Sequence, residues 1–384
     1  MQPFLPRCLL VAIAVAVTGQ AQAEIAIDVI HGSEVSLEGL VQSDANWFDN
    51  DVADLNGSSG NNGANSEFEM RRAEIVLKGK GSQFDWVAGY DAKIDKWLDV
   101  NLKWKQGANF FIAGQYKQPN SLEELGSTRN NDFIAKSMTT NTFGIARRTA
   151  VGYGGDHGGW GFLASAFSRE LTRNLGHGDG FGGRFYFAPN HAPGKILHFG
   201  VSALDYDTRA GVQRWRARPD ADLATVRLVD TGGIAAARQN RTYGLEGLWV
   251  DGPLKLQGEY MDTRTSRSAA ADFNSNSWYL SGVWNLSGET WGYKAGVPTT
   301  PLPDNPVRGM WQLGLRYDAI DLDDGAIQGG REYNLSAGVN WYLRSNFKLM
   351  FNYVAVNSKK FNSTAARRLS DDPGIVETRL QFYW

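Results

Sequence analysis

Cysteine is almost missing from this chain: Cys8 stands alone among 384 residues. No disulfide framework and no cysteine-held zinc can be built from it. Histidine is scarce too. His31, His157, His177, His191 and His198 are the five, and none has metal-ligand spacing. Beyond the N-terminus no stretch approaches the ~18 consecutive apolar residues of a membrane-crossing helix. Proline is thin at 12 residues, and no Pro-rich or Gly/Ser-rich linker divides the chain, so one domain is expected. The formal charge is -2 and the pI near 6.2, with basic residues not gathered on one face, so nucleic acid is not an expected partner. There is no Gly-x-x-x-x-Gly-Lys-Ser/Thr loop to cradle a nucleotide. No cofactor is expected, and any transport should be passive.

The N-terminus carries Arg7, an apolar run from Leu9 to Val17, and Ala21-Gln22-Ala23. That order is a secretory signal peptide, with cleavage expected before Glu24. Residues 1–23 then leave, Cys8 with them, and 24–384 form one exported domain. Losing Arg7 moves the formal charge from -2 to -3.

From Val35 onward the chain alternates. Val376, Thr378, Leu380, Phe382 and Trp384 take one face; Glu377, Arg379, Gln381 and Tyr383 take the other. Leu98, Val100, Leu102 and Trp104 oppose Asp99, Asn101, Lys103 and Lys105 in the same way, and Trp311, Leu313, Leu315 and Tyr317 oppose Gln312, Arg316 and Asp318. Period-two alternation means strands with one apolar face. Thirteen Trp, 14 Tyr and 19 Phe, placed at strand ends, read as the aromatic girdles of a transmembrane barrel rather than as the core of a soluble sandwich. The expected fold is an all-β, antiparallel outer-membrane barrel of about 16 strands, with long outer loops and short periplasmic turns. Its expected surroundings are the lipid bilayer and lipopolysaccharide of a Gram-negative outer membrane.

The connections support this rhythm. Long or moderate stretches are expected at 44–67, 118–142, 169–179, 208–240, 263–274, 321–330 and 357–373. Short turns are expected near 80–82, 154–159, 190–194, 251–252 and Ser345. One connection, 288–309, is long where a short inner turn is due. The loop at 118–142 should carry a helical turn at Ser121–Leu125.

Parity assigns Arg72, Arg148, Arg184, Arg316, Arg344 and Arg379 to the lumen, with Lys93, Lys103, Lys105, Lys117, Lys255 and Lys348. Acids share that face, among them Glu74, Asp85, Glu246, Glu259, Asp318 and Glu377. Such a mixed wall also reads as a set of structural ion pairs across the lumen. Lys117, Arg129 and Lys136, opposed by Glu123, Glu124 and Asp132, are constriction candidates. Arg214-Trp215-Arg216-Ala217-Arg218 puts three guanidinium groups on one side of an extended segment. Guanidinium forks match phosphate and carboxylate oxygens. Recruitment of anions at the pore mouth is the expected role, and a solvated basic loop against lipopolysaccharide phosphates is the alternative. Asp49, Asp51 and Asp54, and separately Asp321, Asp323 and Asp324, offer carboxylates to calcium, but solvated loops explain them equally, and no metal site is expected.

Several stretches carry a family resemblance: Phe68-Glu69-Met70-Arg71-Arg72-Ala73-Glu74, Phe187-Ala188-Pro189-Asn190-His191-Ala192-Pro193-Gly194-Lys195 followed by His198-Phe199-Gly200, Glu246-Gly247-Leu248-Trp249, Leu286-Ser287-Gly288-Glu289, and Gly338-Val339-Asn340-Trp341-Tyr342. With these the chain resembles the phosphate- and polyphosphate-selective porin O/P family over essentially its whole exported length. The resemblance implies a trimer of sixteen-stranded barrels, each lined by an arginine and lysine ladder that draws anions to a constriction. It also implies tolerance of a long connection near 288. Arg71 and Arg72 resemble ladder residues, although parity turns Arg71 outward. Arg214, Arg216 and Arg218 resemble the family's basic fifth loop. Leu40 stands where the family has an arginine, and Gly114-Gln115-Tyr116 replaces a Gly-Arg-Tyr/Phe pattern.

The expected function is passive diffusion of small anions, most of all phosphate or polyphosphate. A general or sugar-selective channel is the nearest alternative. A barrel enzyme would need a His–Ser or His–Asp pair near a rim, and no such spacing stands out. A structural or adhesive barrel is a further alternative.

Overall fold

A computed structural model describes residues 25–384 apart from 31–32, 58–64, 173–177, 209–210 and 345. The signal segment, the side chains of 25–33, His177, Arg209 and the turn at Ser345 lie outside the described residues.

Alternating sequence becomes alternating structure. The wall strands are β1 (Ser33–Asp49), β2 (Ser66–Lys80), β3 (Phe84–Asp91), β4 (Lys96–Gln106), β5 (Asn109–Lys117), β6 (Arg147–Asp156), β7 (Trp160–Phe167) and β8 (Gly180–Ala192). They continue as β9 (Lys195–Asp207), β10 (Ala237–Asp251), β11 (Leu254–Arg267), β12 (Phe273–Asn285), β13 (Met310–Asp324), β14 (Ile327–Leu343), β15 (Phe347–Asn362) and β16 (Gly374–Tyr383). Each pairs antiparallel with its sequence neighbour, and β16 returns to β1 from Leu40↔Tyr383 to Asp49↔Gly374. The sheet is closed, which leaves no wall edge unpaired inside the bilayer. Two short strands, Ile25–Ile30 beside β1 and Arg367–Asp371 beside β15, extend it beyond the sixteen. At the seam Gly39 and Trp384 exchange backbone hydrogen bonds of 3.0 and 3.2 Å. The Trp384 indole lies across Gly39, where any side chain would collide with it.

The outward face is apolar, with large exposed Leu, Val and aromatic side chains. Near the inner ends aromatics stand side by side: Trp104 and Phe111 at 5.8 Å, Trp311 and Trp341 at 5.2 Å, Phe347 and Phe382 at 4.8 Å. Trp278, Tyr317 and Tyr333 mark the outer level at 5.4 and 6.5 Å. These are the two interfacial belts.

Several strands run further than the alternation indicated. β1 continues to Asp49, β10 begins at Ala237, and β13 and β14 reach to a two-residue turn at 325–326. Polar outer rims keep pairing after the apolar pattern has faded, because backbone hydrogen bonds do not need apolar side chains. The expected helical turn is present as α1 (Leu122–Leu125), capped by Ser121 Oγ, which accepts from Glu124 N–H. A second helix, α2 (Met138–Phe143), follows in the same loop.

Three segments fill the barrel. The third outer loop (118–146) crosses its middle. The fifth outer loop (208–236) forms a hairpin in which Arg216–Ala217 pairs with Val229–Asp230. Its Trp215 is buried, packs on Phe143 at 5.3 Å and donates from Nε1 to Thr265 Oγ1 at 2.9 Å. A core of Met138, Phe143, Trp215, Met261, Phe273 and Ile320 therefore forms inside the outer half of the barrel. The long inner connection (286–309) accounts for the break in rhythm. It turns inward as a small hairpin, Gly292–Lys294 against Val297–Thr299, with Trp291 fully buried.

Candidate functional site in the barrel lumen

The third loop is held to one wall by cations. Arg316 donates to Ala135 O at 3.0 Å and pairs with Asp220 at 3.0 Å and Glu123 at 3.6 Å. Arg379 donates to Ile134 O at 2.7 Å and grips Asp44 with two bonds of 2.6 Å. Lys348 donates to Asn131 O at 2.5 Å, and Lys255 pairs with Asp132 at 2.7 Å. From the other side Lys117 donates to Glu124 O at 2.6 Å and Gly126 O at 2.7 Å. Glu259 completes the anchor. Its carboxylate accepts from Leu122 N–H at 2.9 Å, Glu123 N–H at 2.8 Å and Tyr279 OH at 2.8 Å. Lys136 pairs with Glu124 inside the loop. Burial alone would raise the Glu124 carboxyl, but Lys136 and Lys117 outweigh it and hold it at about 2.

Exposure divides the lumen. Arg316, Arg379 and Lys255 on the β11–β16 wall keep only 1, 2 and 4% of their side chains exposed. Arg72, Lys78 and Lys105 on the β2–β4 wall keep 21, 31 and 33%, and Arg129 on the facing loop keeps 29%. Water therefore follows the second wall. Between the loop, the first wall and the inner insertion there remains a cavity of only about 40 Å³, with Asn130, Asp132, Lys255, Thr300 and Arg316 around it.

The wet side has its own cations. Arg71 and Arg72 both turn inward, which corrects the parity reading of Arg71. The register slips there, Gln42 facing Arg72 while Ser43 faces Met70, so Arg71 is the extra residue of a bulge. Its Nη2 lies 3.2 Å from Asp222 of the fifth loop, and Arg379 approaches the same carboxylate at 3.8 Å. Burial would raise Asp222, but Arg71, then Arg379, Arg72 and Arg218 hold it at about 2. Arg72 pairs with Glu74 at 3.0 Å. Arg147, which parity missed in favour of Arg148, pairs with Asp99 at 2.8 Å. No local sequence signal marks it, because its facing follows from the pairing of Arg147 with Lys117 across the strands.

The fifth loop keeps its expected alternation: Arg214 and Arg216 are exposed, Trp215 and Ala217 buried. Arg214 is tied to Asp230. Arg216 has no ion-pair partner among the described residues. Arg218 and Arg227 give hydrogen bonds to Ala224 O, both at 3.2 Å. Burial lowers Arg227, and neighbouring Arg218 and Arg216 lower it further, to about 10. Cations that depress one another mark a surplus of positive charge.

The other candidates sit elsewhere. Arg148 is buried against Glu170 at 3.1 Å, near the outer end of β6. Arg184 is buried at the inner end, bonded to Glu246 at 2.8 and 2.5 Å and to Gly296 O at 2.7 Å. His198 joins that cluster, 2.8 Å from Glu246 and 2.6 Å from Tyr293 OH, so the inner insertion is pinned from two sides. Arg129 lies over the Tyr383 ring at 5.9 Å and 3.9 Å from Glu38. Arg344 is not in the lumen: it occupies the inner β14–β15 turn with φ 57°. Gln115 does not face the pore either. It is buried, donating to Trp97 O at 2.8 Å and Leu98 O at 2.5 Å and accepting from Leu171 N–H at 2.7 Å. Asp321 and Asp323 are taken by Arg331 and Arg368. Among the described residues no three metal-ligating side chains converge.

Known proteins place this architecture. Residues 41–384 match the family of phosphate-selective porins O and P. A 234-residue stretch is 28% identical to Porin O of Pseudomonas aeruginosa, covering 53% of this chain and 52% of that one. A 310-residue stretch is 26% identical to an uncharacterized protein of Caulobacter vibrioides, covering 74% and 62%. The chain thus matches little more than half to three-fifths of the length of these relatives. In fold it is similar to an anion-selective porin from Comamonas acidovorans, with a TM-score of 0.59 at 14% identity over 92% of this chain and 100% of that one. A closed sixteen-stranded barrel, a loop-narrowed lumen and a match spanning nearly the whole described chain lead to one conclusion: this chain belongs to the phosphate-selective porin O and P family of outer-membrane porins.

Proposed function

We propose that the pore passes small anions, phosphate or polyphosphate above others, along the wet wall. The observation that carries this reading is the guanidinium surplus around Asp222. Arg71 lies 3.2 Å from that carboxylate, the charges of Arg72 and Arg218 also bear on it, and Arg216 and Arg227 add to the same positive field. An anion arriving at Arg216 and Arg218 can pass to Arg71 and Arg72, then to Arg129 and Lys78, and leave past Lys103 and Lys105. Each step replaces part of a hydration shell without holding the ion. At physiological salt the field of each side chain reaches ~8 Å, so such sites must follow one another closely. A homotrimer of such barrels is part of this proposal, on family membership.

Single-channel reversal potential in a chloride gradient, followed by phosphate titration of the current, is the test. Anion selectivity with block at millimolar phosphate or below supports the reading. A cation-selective or indifferent current overturns it. A weakly selective general porin is the second reading, and the neutralised pairs Arg72–Glu74, Arg147–Asp99 and Lys105–Asp85 favour it.

A further inference from the structure

On the lipid-facing surface, above the outer aromatic belt, like charges meet. Arg241 on β10 and Arg264 on β11 are direct cross-strand partners and both face outward. Their Cβ atoms are then about 5 Å apart, and like charges so placed destabilise a sheet. Each leans away onto an acid: Arg241 Nε donates to Asp205 at 2.7 Å, Arg264 Nη2 to Asp272 at 2.6 Å. Even so, 48% and 59% of the two side chains remain exposed. A like-charged pair also occurs elsewhere around the barrel, between β14 and β15, where Arg331 faces Lys359 and Lys359 has no ion-pair partner among the described residues.

A second, independent feature lies below the first pair. Gly247 and Gly258 are also direct cross-strand partners facing lipid. They leave a shallow furrow between exposed Leu245, Tyr260 and Leu256, closed on the Gly258 side by Leu280, whose Cδ1 stands 3.4 Å from where a side chain would begin. Around Gly247 the space a side chain would enter is empty. Six residues separate each glycine from its arginine, roughly 20 Å along the strand. That is a fatty-acyl length beneath a headgroup height.

We infer that β10 and β11 form a seat for a phosphorylated glycolipid of the outer leaflet, with Arg241 and Arg264 clasping a phosphate and an acyl chain lying in the Gly247–Gly258 furrow. Guanidinium forks suit a doubly charged phosphate, which takes the donors left over from Asp205 and Asp272 and adds charge-assisted hydrogen bonds to both arginines. The inference rests on the outer-membrane placement and not on what the pore conducts.

The test uses the whole purified barrel in detergent and reads its thermal unfolding against added bis-phosphorylated lipid A. Arg241→Gln/Arg264→Gln should weaken the apparent lipid affinity at least about tenfold, the loss of two charged contacts each partly offset by the release of its aspartate. Gly247→Leu, which fills the furrow and spares the head pair, should weaken it as well. Single-channel conductance should be unchanged in both, which separates this outcome from failure of the anion-pore reading. Undiminished lipid stabilisation in the double variant overturns the seat. Equal stabilisation of the native barrel by inorganic phosphate, or by phosphatidylcholine, overturns it too.

Discussion

The third loop separates two walls that are both rich in cations, yet the cations do different work. On the β11–β16 side, Arg316, Arg379, Lys255 and Lys348 are spent on loop carbonyls and carboxylates and see almost no water. On the β2–β4 side, Arg72, Lys78 and Lys105 stay wet. A basic residue facing the lumen is therefore not by itself a site for an anion. What matters is whether water still reaches it: Arg72, Lys78 and Lys105 are paired with Glu74, Glu38 and Asp85 and yet stay open to solvent.

The comparison can be broken most forcefully at Arg379. Arg379→Ala leaves Asp44 buried without a partner, and should cost about 3–5 kcal/mol in urea unfolding from micelles. It should also free the third loop, seen as noisier single-channel current. If it shifted ion selectivity as far as removing the fifth-loop arginines, the distinction between the walls would fail. Arg216→Ala/Arg218→Ala/Arg227→Ala comes next. At low salt it should lower anion conductance several-fold and leave unfolding nearly unchanged, since these groups hold no buried carboxylate alone. An unaltered low-salt conductance would remove the entry route.

Acid offers a gentler probe. The Asp222 carboxyl is depressed from its ordinary 3.8 to about 2. The docking it supports is therefore complete above 3.8 and is lost as pH falls through about 2. Single-channel current noise from a loosened fifth loop, recorded at graded pH, should rise only below pH ~3. A rise already at pH 5 would mean that something else seats the loop. Smallest of all, Arg214→Ala should change neither unfolding nor conductance, because the Arg214–Asp230 pair is solvent-exposed on the arginine side, and such pairs contribute little.

Much of this was written locally. Alternation located the sixteen strands, Ser121 announced α1, and the Arg214–Arg218 stretch kept its facing. The break in rhythm near 288 located the inner insertion, though not that it folds into the lumen. Partners were not legible. Nothing near Arg379 in sequence points to Asp44, 335 residues away. Nor does any local signal mark the bulge that turns Arg71 inward, since it depends on how β1 and β2 register against each other. A one-residue slip reverses every facing that follows it, so a parity argument is only as good as its nearest unseen bulge.

The seam between β1 and β16 bears on how the barrel is made. Leu40 pairs with Tyr383, so the wall cannot shut until nearly the whole chain is present and placed. Joining distant ends is modest in equilibrium terms, since each doubling of the loop adds only about 0.6 kcal/mol. In time it is demanding, because long-range pairing comes late and leaves two open strand edges in the meantime. The Trp384 indole over Gly39 is among the contacts that only the closed seam can make. An open-edged intermediate waiting for it needs a protected place to wait.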